Sequence, residues 1–194
     1  MILEHDAIQQ TMQQSSVEIK RGIVFARINE LDIYLCLFAN KACQRKVIKS
    51  FFATVSRLGN GVFWYMLMFL IPLFYGVNML SVSARMMGVG LCGLLIYKAI
   101  KSVTERPRPY KVNSRIKLGT LPLDQYSFPS GHTLHAVSFT LTTVYYIPVL
   151  GWVLVPFTVL IALSRVILGL HYPTDVLAGT VIGSTVAMSG IYFF

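Results

Sequence analysis

A histidine and an aspartate near the C-terminal end of the sequence are spaced for covalent chemistry. In SRVILGLHYPTD, His171 and Asp175 are four residues apart, Pro173 lies between them, and Ser164 and Arg165 precede them. On a helical turn, or on an extended turn led by the proline, the carboxylate can hold one imidazole nitrogen and leave the other free to attack. His171 is therefore a candidate nucleophile.

The segment SFPSGHTLHA predicts an anion site at the start of a helix. Pro129 stops any preceding helix, Ser130 stands where an N-cap belongs, and Gly131 lets the backbone approach a ligand. The unpaired N–H groups of the helix start, with the helix dipole behind them, attract an anion. His132 lies at the rim of this site as an acid or a base.

A third cluster, KSVTERPRPY, brings cations to the end of another helix. The helix that ends near Lys101 cannot continue through Pro107 and Pro109. Lys101, Arg106 and Arg108 are therefore expected on a rigid, partly extended segment, where they suit an anionic ligand.

Each cluster also has a simpler interpretation. The cations could be anchors at a membrane face, PSGH could be a helix cap, and Arg165 could snorkel to the interface. His132, His135 and His171 could suggest zinc, but tetrahedral sites need three or four convergent ligands, and phosphate chemistry uses the same groups. We expect no metal and no cofactor, and we expect His135 to serve helix packing or to support a residue of the site.

Helices that cross a membrane must position these side chains. Of the 194 residues, 55% are hydrophobic and 13% charged, unlike a soluble domain. Gly179, Gly183 and Ala187, spaced by four, predict a close contact between helices. About 20 residues span a bilayer, and we predict an all-α, polytopic transmembrane helix bundle of about five spans, at 62–80, 84–101, 131–150, 152–170 and 176–194.

Residues 1–61 are different in character. A polar tail precedes IVFARINELDIYLCLFAN, in which Arg27, Asn29, Glu30 and Asp32 interrupt apolar residues, and the basic KACQRKVIKSFF follows. This pattern favours basic amphipathic helices in the membrane interface. A solvated helix packed on the core fits equally well. The transmembrane core would comprise residues 62–194.

In combination, the three clusters resemble the signature of the type-2 phosphatidic acid phosphatase superfamily. The resemblance covers roughly residues 60–194, and the motif positions are filled in order by Lys101, Arg108-Pro109, Pro129-Ser130-Gly131-His132, Ser164-Arg165, His171 and Asp175. It implies a membrane lipid phosphatase, with bacterial acid phosphatases and vanadium haloperoxidases as soluble relatives. Many members carry six spans, and here the amphipathic N-terminal region takes the place of the first.

The resemblance implies a role for each motif residue. His171, oriented by Asp175, attacks phosphorus and forms a phosphohistidine, while His132 protonates the leaving oxygen and later helps water to release phosphate. Family members of this type need no metal. Arg106 is a spare cation, since the spacing selects Arg108. The groups expected to bind the phosphate oxygens are Lys101, Arg108, Ser130, Gly131 and Arg165.

A site at headgroup level implies a membrane lipid as substrate. Candidates are undecaprenyl diphosphate, phosphatidylglycerophosphate, phosphatidic acid and a lipid A phosphate. The short, bare core resembles small bacterial members, which favours a broad-specificity isoprenyl diphosphate or phospholipid phosphatase in a bacterial inner membrane. Transfer of the phosphate to another lipid stays open, as does the oligomeric state. A lipid or anion transporter is disfavoured because the sequence has no internal repeat.

The cations crowd on one side of the predicted bundle. With five spans, 16 of the 17 Lys and Arg residues lie on the side of the N-terminal region and the 102–130 connection, and Arg85 lies opposite. The positive-inside rule favours the cytoplasm for that side, whereas many bacterial relatives in the family act at the outer face, so the side of the site stays open. Membrane topology accounts for the net charge of +9, and no nucleic-acid partner is expected.

Overall fold

The chain folds into a bundle of helices. The computed structural model describes residues 27–193, in which no strand occurs. The predicted all-α class is confirmed. The helices are α1 (27–40), α2 (Lys46–Leu58), α3 (Val62–Tyr75), α4 (Leu80–Thr104), the short α5 (Pro109–Val112), α6 (Gly131–Tyr146), α7 (Gly151–Ile167) and α8 (Pro173–Phe193).

Helix ends follow local backbone chemistry. α3 stops at Tyr75 because Gly76 adopts φ +92°, a conformation that a residue with a side chain rarely takes. The first predicted span, 62–80, is therefore too long at its C-terminal end. α4 ends at Thr104 because the next residue, Glu105, adopts φ +44°, two residues before the first proline of the KSVTERPRPY segment. Ser130 caps α6, since its hydroxyl oxygen accepts a hydrogen bond from the Thr133 amide.

α6 is the central helix of the bundle and packs against α4, α7 and α8. Its hydroxyl side chains are buried but satisfied: Thr142 donates to the Ser138 carbonyl at 2.8 Å, and Thr140 pairs with Thr158 of α7 at 2.6 Å. A helix that is covered on several sides can carry such polar groups because protein, and not lipid, surrounds them. Around it lies an apolar core that includes Trp64, Ile71, Met86, Leu154 and Ile161.

Glycines let α8 approach α6 at backbone distance, as their spacing predicted. A Cβ on Gly179 would lie 2.6 Å from the carbonyl oxygen of Ser130, and one on Gly183 would lie 2.5 Å from that of Leu134. Real Cβ atoms do not come so close to a backbone oxygen. The contact joins the helix that begins with PSGH to the helix that carries Asp175, so it sets the distance between two parts of the site.

Replacing Gly183 by alanine is expected to lower the free energy of unfolding by about 3 kcal/mol, because a backbone carbonyl cannot move aside as a side chain can. Thermal unfolding of the detergent-solubilised protein measures the change. Gly88→Ala on α4 is the matched control, since a Cβ there meets nothing within 4 Å. Equal stability of the two variants would contradict the close contact.

The protein is a multi-pass membrane protein. Among residues 27–193, three helical segments are long and apolar enough to cross a bilayer: Val77–Val112, Pro148–Ile167 and Pro173–Phe193. α2 and α3 satisfy the same criterion only as a pair bent by 53°, which raises the number to four. α6, with 16 residues and many hydroxyl side chains, is not among these segments. The count of five spans stays a prediction.

The described part of the N-terminal region packs on the bundle. Residues 1–26, which include the predicted polar tail, lie outside the described residues. On α1 the buried face carries polar Asp32 and Asn40, while the apolar side chains of Tyr34 and Phe38 are 64% and 65% exposed. Exposed aromatic rings suit the membrane interface. The boundary at residue 61 and the interfacial placement stay predictions.

Candidate active site

One end of the bundle contains a cavity of about 520 Å³ in which the three motifs meet. The α4 end, the start of α6, the end of α7 and the α7–α8 turn converge there. Ser130 and Asp175, the other two predicted site residues, lie behind the cavity wall and are fully buried. The predicted residues that line the cavity are Lys101, Arg108, Gly131, His132, Arg165 and His171.

His171 presents one ring nitrogen to the cations. Its Nε2 lies 3.2 Å from Nη1 of Arg108. Because a guanidinium can only donate, Nε2 must be the unprotonated nitrogen, which leaves the proton of the neutral ring on Nδ1. Burial, and then the charges of Arg165 and Arg108, hold the pKa of His171 well below its usual range. The side chain is thus a neutral imidazole whose lone pair faces the anion site.

Asp175 lies on the other side of the imidazole. Its Oδ2 is 3.6 Å from Nδ1 of His171. This distance is too long for a hydrogen bond, but the negative charge of the carboxylate still acts on the ring. The same oxygen accepts a hydrogen bond from the Tyr172 amide at 2.9 Å. Nδ1 has no hydrogen-bond partner among the described residues. The Asp175 carboxylate therefore favours a proton on Nδ1, and its negative charge stabilises a positive charge on the ring.

Asp124 holds two of the cations, and sequence reasoning missed it. Its carboxylate lies 2.6 Å from Nζ of Lys101 and 2.6 Å from Nη2 of Arg108. Burial alone would raise the pKa of Asp124, but hydrogen bonds and charge from the two cations outweigh it and lower the pKa. A signal existed, because Asp124 is the only acidic residue between Arg106 and Ser130. It belongs to no motif and stands 23 and 16 residues from Lys101 and Arg108, which concealed the contact.

Arg165 is the third cation of the cavity and is 2% exposed. One of its Nη atoms donates to the hydroxyl of Ser56 on α2. Its Nε has no hydrogen-bond partner among the described residues. A buried guanidinium with a free donor stabilises an anion strongly, because little water competes for it. Ser56 was not predicted, and nothing in its sequence context distinguishes it.

Ser130, the serine of PSGH, contacts neighbouring helices instead of lining the cavity, where its predicted role was to bind phosphate oxygens. The hydroxyl of Ser130 lies 2.9 Å from Thr133 Oγ1, and its amide donates to the Asp175 carbonyl at 3.1 Å. Ser130 thus ties the start of α6 to the start of α8. Gly131 is the residue of this pair that lines the cavity. The expected contact of Ser130 with phosphate stays a prediction.

His132 and His135 have different surroundings, as expected. His132 lines the cavity, and its Nε2 contacts Oδ1 of Asn60 in the turn between α2 and α3. Sequence reasoning did not find Asn60, which sits between two glycines without a motif of its own. One turn further along α6, His135 stacks on Phe139 with ring centroids 5.5 Å apart. Its position fits helix packing.

Arg106 is not a spare cation of the cavity. Its two Nη atoms each lie 2.7 Å from a carboxylate, one from Asp175 and one from Asp32. Its guanidinium carbon lies 4.0 Å from the centroid of the Tyr172 ring. Of these two arginines only Arg108 lines the cavity, and its selection over Arg106 as a phosphate ligand stays a prediction.

Two solved membrane proteins share the fold. A transmembrane PAP2-type phosphatidylglycerolphosphate phosphatase from Bacillus subtilis superposes with a TM-score of 0.69 and 23% identity over 86% of each chain. LpxE from Aquifex aeolicus superposes with a TM-score of 0.72 and 23% identity over 83% of this chain and 94% of its own. At this identity, the likeness shows the fold.

Curated relatives are more similar in sequence over shorter stretches. The undecaprenyl-diphosphatase BcrC of Bacillus subtilis is 35% identical over 54% of this chain and 52% of its own length. An undecaprenyl-diphosphatase of Sulfolobus acidocaldarius is 29% identical over 71% and 66%, respectively. A decaprenylphosphoryl-5-phosphoribose phosphatase of Mycolicibacterium smegmatis is 40% identical over 48% and 51%. The chain thus spans about half to two thirds of the length of these relatives.

The family itself follows from a match to a family model. The sequence model of the PAP2 superfamily matches residues 79–194, a stretch that holds all three motifs and more than half of the chain. The resemblance predicted from those motifs is confirmed. From its motifs, its fold and this match, the chain belongs to the PAP2 superfamily.

Proposed function

We propose that the protein is an integral membrane lipid phosphatase that removes phosphate from a monoester or diphosphate headgroup through a phosphohistidine. The tautomer of His171 carries this proposal. A buried, neutral imidazole turns its unprotonated Nε2 toward Arg108 in a cavity that Lys101 and Arg165 also line. A nucleophile among cations is what attack on a phosphate requires, since the cations neutralise the charge of the phosphoryl oxygens.

The first step forms a bond between Nε2 of His171 and phosphorus. The bond from that phosphorus to the leaving oxygen breaks, and His132 donates a proton to this oxygen as it leaves. The leaving oxygen belongs to the lipid alcohol in a monoester and to the inner phosphate in a diphosphate. The imidazole becomes positively charged in the process, and the negative charge of Asp175, on the Nδ1 side, stabilises it. Lys101, Arg108 and Arg165 stabilise the charge on the transferring group.

In the second step, water replaces the histidine. His132, now neutral, takes a proton from the attacking water, the P–N bond breaks, and inorganic phosphate leaves. The enzyme returns to its initial protonation state, so no cofactor is consumed. Each proton that His132 gives in the first step is recovered in the second.

An apolar wall of the cavity supports a lipid substrate. From the cations, the cavity extends between α3 and α4, where the partly exposed side chains of Tyr65, Met87 and Leu91 line it. Exposure of these residues makes an opening toward the surroundings of the bundle, where lipid chains lie. A headgroup phosphate can reach the cations through it while the chain stays in the bilayer.

Among lipids we favour an isoprenyl diphosphate, with phosphatidylglycerophosphate and phosphatidic acid as the next candidates and a lipid A phosphate as an alternative. Two of the relatives described above are undecaprenyl-diphosphatases, and a third acts on a decaprenyl-linked phosphate. The apolar helices and the relatives from Bacillus and Mycolicibacterium support placement in a bacterial inner (plasma) membrane.

Phosphate release by the detergent-purified protein tests this proposal. Undecaprenyl diphosphate, phosphatidylglycerophosphate, phosphatidic acid and lipid A are supplied separately, with a chelator present, and vanadate is added in parallel. We expect release from at least one lipid, inhibition by vanadate because it adopts a phosphoryl-transfer-like geometry, and no effect of the chelator. Transfer of labelled phosphate to an acceptor lipid without release would indicate a phosphotransferase, and no turnover of any lipid would contradict the proposal.

A further inference from the structure

One face of α1 is polar and buried against the site. Asp32, Cys36 and Asn40 are spaced by four residues, as one face of a helix requires, and are between 0% and 4% exposed. The thiol of Cys36 lies 3.6 Å from the carbonyl oxygen of His171, and Asn40 donates to the Ile167 carbonyl at 2.9 Å. α1 lies ahead of residue 79, where the family match begins. It nevertheless contacts the loop that carries the nucleophile.

Asp32 is the charged residue of this face, and both of its carboxylate oxygens accept hydrogen bonds from groups near Asp175 and His171. Its Oδ1 accepts a hydrogen bond from the Thr174 amide at 3.1 Å, and its Oδ2 accepts one from the Thr174 hydroxyl. Oδ2 also lies 2.7 Å from Nη2 of Arg106. Thr174 is the residue just before Asp175 at the start of α8, so Asp32 holds this helix start directly.

Arg106 extends the contact from Asp32 to the nucleophile. Its other Nη atom lies 2.7 Å from Oδ1 of Asp175, whose Oδ2 faces Nδ1 of His171 at 3.6 Å. Charges therefore alternate along a row of four groups: negative Asp32, positive Arg106, negative Asp175, and an imidazole that becomes positive when phosphorylated. None of the first three groups lines the cavity.

We propose that Asp32 is a positioning residue for catalysis, which acts through Arg106 on the Asp175–His171 pair. This inference rests on the proposed phosphohistidine mechanism. Asp32 holds one side of the Arg106 guanidinium, which leaves only the other side to bind Asp175. The Asp175 carboxylate thus keeps both its orientation and enough negative charge to stabilise the phosphorylated imidazole.

The physical basis is the sharing of one cation between two carboxylates. Without the Asp32 charge, Asp175 is the only carboxylate that the Arg106 charge faces in this row. The neutral hydrogen bonds of its Nη1 to Thr174 and of its Nη2 to Asn29 then hold the guanidinium more weakly against a shift toward Asp175. Opposite charges at these separations attract strongly in a buried site. Asp175 would then turn from His171 or be neutralised, and formation of the phosphohistidine would slow. The cations that bind substrate phosphate would not change.

Asp32→Asn tests this role, because the amide keeps the size of the side chain and removes its charge. We expect kcat to fall by about 10- to 100-fold, the range that misplacement of a catalytic group produces, while KM stays within about twofold. Glu30→Gln is the matched control, since Glu30 is an exposed carboxylate on the same helix. A kcat for Asp32→Asn equal to that of Glu30→Gln would overturn the proposal.

Loss of fold is separated from loss of positioning by a second variant and a second measurement. Arg106→Lys keeps the positive charge but cannot reach both carboxylates, so the same fall in kcat at constant KM is expected. Quenched-flow labelling should show slower formation of the phosphoenzyme in both variants. If Arg106→Lys keeps the wild-type rate of labelling, Asp32 does not act through Arg106 and the proposal is wrong. If the wild-type protein forms no phosphoenzyme and releases no phosphate, the proposed function fails instead.

Discussion

Replacing His171 by alanine is expected to reduce phosphate release by at least about 10⁴-fold, because the phosphorus then has no nucleophile in the cavity. The cations stay in place, so lipid should still bind with an affinity close to that of the wild type. Steady-state phosphate release and lipid binding by the purified variant measure the two effects. The bond between Asp175 and Arg106 does not involve His171, which favours retention of the fold.

His135→Ala is the matched control for this variant. It removes the same side chain from the cavity wall, but from a position stacked on Phe139 and one turn away from the cations. Most of the activity should remain. Wild-type turnover in His171→Ala would show that another group attacks phosphorus, and loss of activity in both variants would point to disruption of the cavity.

Replacing His132 by alanine is expected to lower turnover of a lipid monoester by about 10²- to 10⁴-fold, the range that general acid catalysis supplies. An alkoxide is a poor leaving group, so without a proton donor the bond from phosphorus to the lipid oxygen breaks slowly. The effect should be much smaller for p-nitrophenyl phosphate, whose leaving group departs as a stable anion. Comparison of single-turnover rates with the two substrates measures the difference.

The substrate comparison separates acid catalysis from a structural role of His132. Its ring contacts Asn60, so its loss also removes a link between α6 and the α2–α3 turn. A structural effect would slow both substrates equally, and that result would contradict the assignment as general acid. Asn60→Ala is a useful companion, since it removes the same link and keeps the imidazole.

The sequence predicted most of the architecture because membrane spans are local features. Apolar runs of sufficient length located α4, α7 and α8 to within a few residues. The errors fell where backbone conformation decides the boundary, as at Gly76, which ends α3 earlier than hydropathy indicated. The close contact at Gly179 and Gly183 was also visible, since a spacing of four residues places both on one helix face.

The sequence also predicted the residues that we propose to react, because the types and local spacing of side chains carry their chemistry. A histidine four residues before an aspartate and a histidine behind a capped helix start indicated phosphate chemistry before any fold was known. Spacing likewise selected Arg108 over Arg106. Each of these signals lies within a segment of about ten residues, so no tertiary contact is needed to read it.

Only the tertiary structure decided which groups hold the reactive residues in place. Asp124 bridges Lys101 and Arg108. Asp32 contacts Thr174, the neighbour of Asp175, across 142 positions in sequence. Asn60 likewise meets His132 across 72 positions. Such partners are set by the packing of helices and loops that are distant in sequence, and an isolated carboxylate or amide has no local sequence pattern. The chemistry of a site residue can be predicted from its neighbours in sequence. The residues that hold it in position depend on which surfaces the fold brings together.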